Sequence, residues 1–355
     1  MAPKMLIINP GSTSTKVALF DGEVPLSEET VRQDPARLRD FDNEADQVDF
    51  RIETIDRWIE SLCLQPGSLA AVIGRGAPLR PLDGGSYRIT PQMLDDVRTM
   101  RYSNHASNLG CLIAHHLGER YGVPSFISDP ITVDNFGDIA RISGVPEIER
   151  KCRVHALNIK EVSRREARKM GKTLETASFV ACHMGGGVSV AALREGRVID
   201  VNDALLGMGP FSPDRAGALP IGGLVKLCYS GKFSEKEMID KLSKKSGLSA
   251  YVGESDLRAV ERVIDGGDEN ALLYFNAMAY QIAKEIGVAA VALEGRFDAI
   301  ILTGGMANSA RLCGELRRYA GFLGEFRVVP GEFEMEALAA AGSRFLSGQE
   351  QLKEY

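Results

Sequence analysis

Apolar positions near the start of the chain form two short runs, Lys4–Asn9 and Lys16–Phe20, separated by a segment rich in glycine, serine and threonine. Short apolar runs bounded by turn residues are typical of buried β-strands. Asp21-Gly22 follows the second run and is a hairpin turn signal, so a third strand is expected after it. The segment therefore predicts a hairpin extended by one more strand.

The same pattern returns in mid-chain. Phe179–His183 and Val188–Leu193 are apolar runs around a glycine-rich turn, and a Glu-Gly turn then leads into Arg197–Val201. Each region is followed by an isolated apolar strand that runs into glycine, Leu69–Gly74 in the first half and Ala299–Thr303 in the second. Because internal repeats reveal architecture before individual residues do, this layout predicts a structural duplication.

Apolar residues at helical spacing fill most of the remaining chain, and Pro91 is well placed to open one of these helices. Helices alternating with strands predict an α/β protein with largely covered sheets. The domain boundary is expected in the basic stretch at residues 155–175. The predicted helices are Ile52–Leu62, Met93–Met100, Asn108–Tyr121, Ile159–Met170, Glu235–Lys244, Asp256–Ile264, Asn270–Leu293 and Glu334–Phe345.

Composition narrows the classes of protein that fit this pattern. The 355 residues are 44% hydrophobic and 25% charged, which suits a globular protein of about two domains. The formal net charge of -6 and the lack of a basic tract argue against nucleic-acid binding. No segment is apolar and long enough to span a bilayer or act as a signal peptide. Six scattered cysteines without a CxxC pair predict reduced thiols and a cytoplasmic location.

Two glycine-rich turns directly after buried strands are candidate phosphate sites. The first contains Ser12 and Ser14 and precedes Lys16, and the second is Gly185-Gly186-Gly187. Glycine lets backbone N–H groups approach an anion, hydroxyls add donors, and lysine adds a point charge. Neither turn matches the Walker A or GxGxxG pattern. Tight hairpin turns alone would also explain the glycines and serines.

A third glycine-rich element, Thr303–Ser309, lies at the carboxyl end of a predicted strand, where open α/β sheets bind ligands. Gly304 and Gly305 leave room for a flat adenine, and Asn308 is placed to reach a ribose hydroxyl. An ordinary strand-to-helix loop is the alternative interpretation.

These three elements together resemble the motifs of the acetate kinase family. Asn9-x-Gly-Ser-x-Ser-x-Lys16 is similar to the family's first phosphate motif, His183–Gly187 to the second, and Thr303–Asn308 to the adenosine motif. The resemblance implies duplicated actin-like (ribonuclease H-like) ATPase domains, each a mixed five-stranded sheet flanked by helices, with an interdomain cleft. The implied lobes are residues 1–155, completed by a C-terminal helix in 331–355, and residues 156–330.

The resemblance also implies the reaction and its cofactors. Several short sequence segments are most similar to family members that phosphorylate butyrate. These segments lie around Arg75 and at Asn104–Asn108, Arg153–Asn158, Gly209–Gly217 and Pro330–Glu332. The expected activity is reversible conversion of butyrate and ATP to butyryl phosphate and ADP, with Mg²⁺, by direct in-line transfer. Acetate, propionate or a branched-chain acid are alternative acceptors, because each methylene contributes only about 1 kcal/mol of discrimination.

Five residues are expected at or next to the reacting groups. Arg75 and Arg215 match the family's two active-site arginines, and guanidinium groups suit both a carboxylate and a phosphoryl group in transfer. His155 resembles the family's catalytic histidine, and His183 should lie near the phosphates because it ends the strand before the second turn. Asp129 resembles the catalytic aspartate, although Pro130 after it departs from acetate kinases.

Oxygen ligands for Mg²⁺ are expected from Asn9, Asp129 and Glu334, with Glu336 as the fallback for Glu334. A charge that complements a helix dipole is the alternative role of Glu334. His105 is displaced by one position from a family histidine, so that role is not transferred to it.

Other classes of protein remain as alternatives. A sugar kinase on the same scaffold would need a carboxylate base such as Asp129, but two arginines suit an anionic acceptor better. A non-catalytic actin-like nucleotide-binding protein is the other alternative. The expected partners are a small carboxylate and further copies of the chain, as a dimer or a multiple of dimers.

Overall fold

The computed structural model describes residues 4–64 and 67–355. Eleven strands lie within those ranges. They are β1 (Lys4–Pro10), β2 (Ser14–Asp21), β3 (Val24–Arg32), β4 (Leu69–Arg75), β5 (Ser86–Arg88), β6 (Ser125–Ser128), β7 (Ser178–Met184), β8 (Val188–Arg194), β9 (Arg197–Val201), β10 (Ala299–Gly304) and β11 (Phe326–Pro330).

The same ranges contain thirteen α-helices and short 3₁₀ helices at Glu44–Gln47, Leu174–Thr176, Gly305–Asn308 and Gly321–Leu323. The α-helices are α1 (Pro35–Leu38), α2 (Val48–Ser61), α3 (Pro91–Arg98), α4 (Asn108–Tyr121), α5 (Asp138–Arg141), α6 (Ala156–Lys169), α7 (Ile221–Cys228), α8 (Glu235–Lys244), α9 (Gly247–Val252), α10 (Leu257–Asp265), α11 (Glu269–Ala292), α12 (Ala310–Ala320) and α13 (Glu334–Leu346).

The chain divides into two compact units, Met1–Val133 with Phe333–Tyr355, and Asp134–Glu332. This division differs from the sequence-based boundary at residue 155, because the segment before α6 packs with the second unit. Arg150 pairs with Asp200 at 2.6 Å and Arg153 pairs with Asp203 at 3.5 Å. The segment just before residue 155 is therefore held within the second unit.

The first unit is built on a mixed sheet in the order β3-β2-β1-β4-β6-β5. β1 pairs antiparallel with β2 and parallel with β4, and β4 is parallel to β6. Met5–Ile8 in β1 is fully buried, which explains why this strand is a continuous apolar run rather than an alternating one. α4 and α13 pack on β1 and β4.

The second unit repeats this arrangement in the order β11-β10-β7-β8-β9. β7 pairs antiparallel with β8 and parallel with β10, and β10 is parallel to β11. Its core lies between the sheet and α11, around Val190, Phe275 and Ile282. Strand order and strand directions match those of the first unit, which confirms the predicted duplication.

The first sheet has six strands rather than the predicted five. The additional strand, β5, contains three residues and pairs antiparallel with β6 at the edge of the sheet. A strand this short has too few residues to display an alternating pattern, so no apolar periodicity predicts it. Among the described residues, no helix is long and apolar enough to cross a bilayer.

Candidate active site

The first glycine-rich turn joins β1 to β2 and closes on itself, because the Gly11 N–H donates to the Ser14 carbonyl at 2.7 Å. Ser12 is exposed at the tip, and Ser14 is half-buried where β2 begins. Lys16 lies opposite Asn9 in the antiparallel register. The predicted first phosphate motif is therefore one short structural unit.

Asn9, Arg75 and Glu334 are in direct contact. The Asn9 amide donates to Glu334 at 2.8 Å, and Arg75 donates to the Asn9 side-chain oxygen at 3.2 Å. The two terminal nitrogens of Arg75 each lie 3.1 Å from a different Glu334 oxygen, which makes the pair bidentate. Glu334, not Glu336, is thus the glutamate at this edge of the sheet, in the first turn of α13.

Glycines on either side of Arg75 allow close backbone packing. A Cβ at Gly74 would lie 2.2 Å from the Gly110 carbonyl oxygen, and a Cβ at Gly76 would lie 2.5 Å from Pro130. Because α4 crosses β4 at this contact, larger residues would displace the strand that carries Arg75. The sequence Gly-Arg-Gly is therefore a packing requirement as well as a loop signal.

Asp129 directly follows β6, whose carboxyl end lies at the same sheet edge as the ends of β1 and β4. Its φ of 38° is unusual for a residue other than glycine. The Gly85 N–H donates to the Asp129 carboxylate at 2.8 Å, and the Asp129 N–H donates to the Gly85 carbonyl at 3.0 Å. Contacts on both sides of the residue fix this strained conformation.

The second glycine-rich turn, between β7 and β8, lies against Arg215. The Ser212 hydroxyl donates to the Gly186 carbonyl at 2.6 Å, and Arg215 donates to the Ala204 carbonyl at 2.6 Å. A Cβ at Gly187 would lie 2.2 Å from an Arg215 nitrogen, so glycine leaves room for the guanidinium in this position. Burial lowers the pKa of Arg215, opposed by Asp214 and Asp203, yet guanidinium remains charged in proteins.

The two predicted histidines stack on each other. The rings of His155 and His183 lie 4.2 Å apart between centroids. His155 Nδ1 lies 2.9 Å from the Ser189 hydroxyl, and His183 Nδ1 lies 3.1 Å from the Asn158 side-chain oxygen. Thr303, opposite His183 on β10, also donates to Asn158 at 3.2 Å. Asn158 therefore links α6, β7 and β10 behind the histidine pair.

The predicted adenosine element and the second turn line one cavity of about 660 Å³ in the second unit. Gly304 has a φ of 87°, and a Cβ there would lie 2.4 Å from the Met184 carbonyl. The Asn308 amide donates to the Gly305 carbonyl at 2.9 Å. Gly185, Gly186, Gly305 and Asn308 all contribute to the wall.

Several residues at these sites carried no role in the sequence-based prediction. Asp256, Arg258 and Glu261 line the cavity from the first half of α10. The predicted start of a helix at this point did not by itself indicate a ligand site. Arg51 is fully buried beneath the first turn. Its spacing from Ile55 places it on the buried stripe of α2, which was an available signal.

His105 lies near Arg75, although its position in the sequence predicts no catalytic role. Desolvation, and secondly the positive charge of Arg75, lower the pKa of His105. Its Nδ1 lies 2.8 Å from the Ser107 hydroxyl. His105 therefore belongs to the surroundings of Arg75.

The donor chemistry at the first sheet edge fits magnesium. Asn9, Asp129 and Glu334 supply oxygen atoms, and no cluster of three histidine, cysteine, aspartate or glutamate residues suited to a metal occurs in the described ranges. Mg²⁺ usually binds through one or two carboxylates plus substrate phosphates rather than a full protein cage. These residues therefore match that mode better than a closed metal site.

Comparisons with known proteins agree with this geometry. The profile of the acetokinase family matches residues 147–337. A "Probable butyrate kinase" of Listeria monocytogenes serotype 4a (strain HCC23) is 44% identical over 355 residues, covering 100% of both chains. The chain belongs to the acetokinase family. It is accordingly a kinase that uses ATP.

Solved structures of family members have the same fold. The acetate kinase of Porphyromonas gingivalis matches with a TM-score of 0.79 at 20% identity, covering 98% of this chain and 100% of that one. The acetate kinase of Entamoeba histolytica matches with a TM-score of 0.77 at 17% identity, covering 97% and 100%. The actin-like fold predicted from the motifs is thereby confirmed.

Proposed function

We propose that this protein is a magnesium-dependent butyrate kinase, which converts butyrate and ATP to butyryl phosphate and ADP. The observation that carries the proposal is full-length similarity to a protein named a probable butyrate kinase, at 44% identity. The charge distribution supports it, because each unit holds an arginine, Arg75 or Arg215, beside a candidate phosphate-binding group.

The second unit would hold the nucleotide. The adenosine moiety would occupy the cavity beside Gly305 and Asn308, with the phosphates at Gly185–Gly187. His183 would bind the phosphates, because an imidazole N–H at its position in β7 can donate to a phosphoryl oxygen. Arg215 would neutralise charge on the phosphoryl group during transfer, and positioning plus neutralisation account for most catalysis of this type.

The first unit would handle the acceptor and the metal. Arg75 offers a planar fork that matches a carboxylate. Asn9, Asp129 and Glu334 would hold Mg²⁺, which would screen the negative charge of the phosphates. Ser12, Ser14 and Lys16 would add donors and a positive charge from the first turn.

In the reaction, one butyrate oxygen forms a bond to the γ-phosphorus while the bond from that phosphorus to the bridging oxygen breaks. ADP takes the electron pair of the broken bond. The acceptor carries no proton at neutral pH, so no general base is required, unlike a sugar hydroxyl. His155 is proposed to stabilise the transferring group from beside His183.

Trapping the acyl phosphate with hydroxylamine tests the reaction. Butyrate should give hydroxamate with ATP and Mg²⁺, and a series of linear and branched acids compared by kcat/KM should peak at butyrate. A peak at acetate or propionate would reassign the acceptor within the family. ATP consumption that depends on glucose instead would reject a carboxylate acceptor.

We also propose a cytoplasmic location and a homo-oligomeric state. All six cysteines are free thiols, as expected in a reducing compartment. Every residue of α7 is at least partly exposed although the helix is mostly apolar, including Ile221 at 76% and Val225 at 48%. Exposed apolar surface of this kind marks interaction sites, so light scattering after size exclusion should give a mass above 38.5 kDa.

A further inference from the structure

Arg51 is the largest fully buried side chain in the described part of the chain, with no exposed surface. Its guanidinium lies directly beneath the first glycine-rich turn. One terminal nitrogen donates to the carbonyls of Gly11 at 2.9 Å and Ser14 at 3.1 Å, and the other donates to the Ser12 carbonyl at 2.9 Å. A fourth bond reaches the Thr15 hydroxyl at 3.1 Å.

These bonds determine which backbone groups the turn presents to solvent. The remaining carbonyl, that of Thr13, accepts from the Gln33 N–H at 3.0 Å. All four carbonyls of residues 11–14 are therefore tied to protein donors. Among the described residues, the N–H groups of Ser12 and Thr13 meet no protein acceptor. A turn with its carbonyls fixed and its N–H groups available is suited to an anion.

The charge of Arg51 acts in the same direction. The only carboxylate paired with it in the described ranges is Glu44, at 3.8 Å, which is too long for a hydrogen bond. Burial raises the pKa of Glu44, and the positive charge of Arg51 opposes that shift. A buried guanidinium interacts with a nearby phosphate more strongly than an exposed one, because water screens it less.

Gln47 holds the guanidinium in place from the other side. Its side-chain oxygen accepts from two Arg51 nitrogens, at 2.7 and 3.1 Å. Gln47 lies one helical turn before Arg51 and is itself buried. It therefore offers a way to disturb Arg51 without changing the turn.

We propose that Arg51 is a positioning residue for nucleotide phosphate: it aligns the turn at residues 11–14 so that its N–H groups bind the ATP phosphates, and Gln47 fixes its orientation. This inference rests on the proposed function only in taking the turn as a phosphate site. It predicts an effect on ATP rather than on the carboxylate, because the contacts of Arg51 go to the turn and not to Arg75.

The test combines binding and kinetics on the full chain. Calorimetric titration with Mg-ATP gives the dissociation constant of wild type, Arg51→Met, Arg51→Lys and Gln47→Met, and the hydroxamate assay gives KM for ATP and for butyrate. Arg51→Met should weaken ATP binding about tenfold or more, as expected for hydrogen bonds to a charged group. Arg51→Lys should keep part of the ATP affinity that Arg51→Met loses. Gln47→Met should weaken ATP binding by a smaller factor than Arg51→Met does.

Arg120→Met is the matched control, because Arg120 is an exposed arginine of the same unit that pairs with Asp56 rather than with the turn. It should bind ATP as wild type does. Unchanged ATP affinity in Arg51→Met overturns the proposal, and so does an equal rise in KM for ATP and butyrate, which indicates general damage. If Arg51→Met does not fold, Arg51→Lys and Gln47→Met decide, and unchanged ATP affinity in both overturns it.

The binding arm separates this inference from the proposed reaction. If wild type binds Mg-ATP but forms no acyl phosphate, the proposed function fails while the comparison of ATP affinities still tests Arg51. If wild type forms acyl phosphate and the variants keep full ATP affinity, the inference fails alone.

Discussion

Arg75 and Glu334 use their hydrogen-bonding atoms on each other. Both terminal nitrogens of Arg75 and both carboxylate oxygens of Glu334 are used in their bidentate contact. A substrate carboxylate would compete with Glu334 for Arg75, and a metal would compete with Arg75 for Glu334. Under the proposed function, substrate and metal binding at this edge would be coupled through this ion pair, whose side chains are 23% exposed for Arg75 and 18% exposed for Glu334.

We expect Glu334→Gln to raise the Mg²⁺ concentration needed for half-maximal activity by about tenfold, the scale seen when groups around a metal are altered. The amide can still accept a hydrogen bond from Arg75, so the effect should fall mainly on the metal. Glu336→Gln, in the same helical turn, is the control and should keep the wild-type dependence. The reverse pattern, a shift in Glu336→Gln alone, would reassign the metal ligand to that residue.

We expect Arg215→Ala to lower kcat by about 10²- to 10³-fold with little change in thermal stability, since preorganised charge acts mainly on the transition state. Steady-state kinetics and a melting curve measure the two effects. Arg194→Ala is a matched control in the same unit, because Arg194 also donates to a backbone carbonyl, that of Ala292 at 3.2 Å. Near-normal turnover in Arg215→Ala would remove this residue from the mechanism.

At the scale of elements, the contact between α4 and β4 places Arg75. The backbone of α4 touches that of β4 through Gly110, where a Cβ would lie 2.3 Å from the Arg75 carbonyl oxygen. No side chain can yield at a contact between two backbones. The position of Arg75 therefore depends on a residue that carries no chemistry.

We expect Gly110→Ala to destabilise the protein by about 1–3 kcal/mol, as overpacking does, and to lower activity further by moving Arg75. Gly314→Ala is the matched control, because Gly314 lies inside α12 with no atom near the added methyl group. That variant should be unchanged or more stable by up to about 1 kcal/mol, since alanine favours helix. Chemical denaturation measures both, and equal stability of the two variants would contradict the packing argument.

Where turn or capping residues mark a helix, its first and last residues could be predicted from the sequence. α4 ends at Gly122, which adopts a φ of 63°, and α8 begins with a capping box between Ser234 and Glu237. α7 and α12 were not predicted. Gly314 interrupts the apolar spacing of α12, and α7 shows no buried stripe because it has no buried residue. Turn and capping residues mark the bounds of α4 and α8, whereas apolar spacing did not reveal α7 or α12.

The residues of the candidate site also divide into those that the sequence reveals and those that it does not. Motif residues such as Asn9 and His183 could be found because they lie near the ends of buried strands, next to turn signals. Arg51 could not be assigned a role, because its partners are backbone carbonyls from a different segment. The contribution of Asn158 was equally hidden, since it acts through His183 and Thr303. Residues that act only by positioning other residues form no recognisable sequence motif.

At the scale of the whole molecule, duplication has been followed by divergence of the two sheet edges. Asn9 and His183 end equivalent strands, β1 and β7, yet they have different partners. Asn9 contacts an ion pair, whereas His183 stacks on another imidazole next to a cavity. Under the proposed function, the repeated arrangement would form two kinds of anion site, one for the carboxylate and metal and one for the nucleotide.

This divergence predicts where nucleotide alone should act. In hydrogen–deuterium exchange, ADP without acceptor or metal should slow exchange most at 184–188, 255–261 and 304–309, the segments around the cavity of the second unit. Binding stabilises only the contacts that the ligand makes, so α4 and β4 should change less. Inorganic phosphate at the same concentration is the control for adenosine contacts and should leave 304–309 unprotected. Stronger protection by ADP around Arg75 than around Gly305 would contradict the assignment of the nucleotide to the second unit.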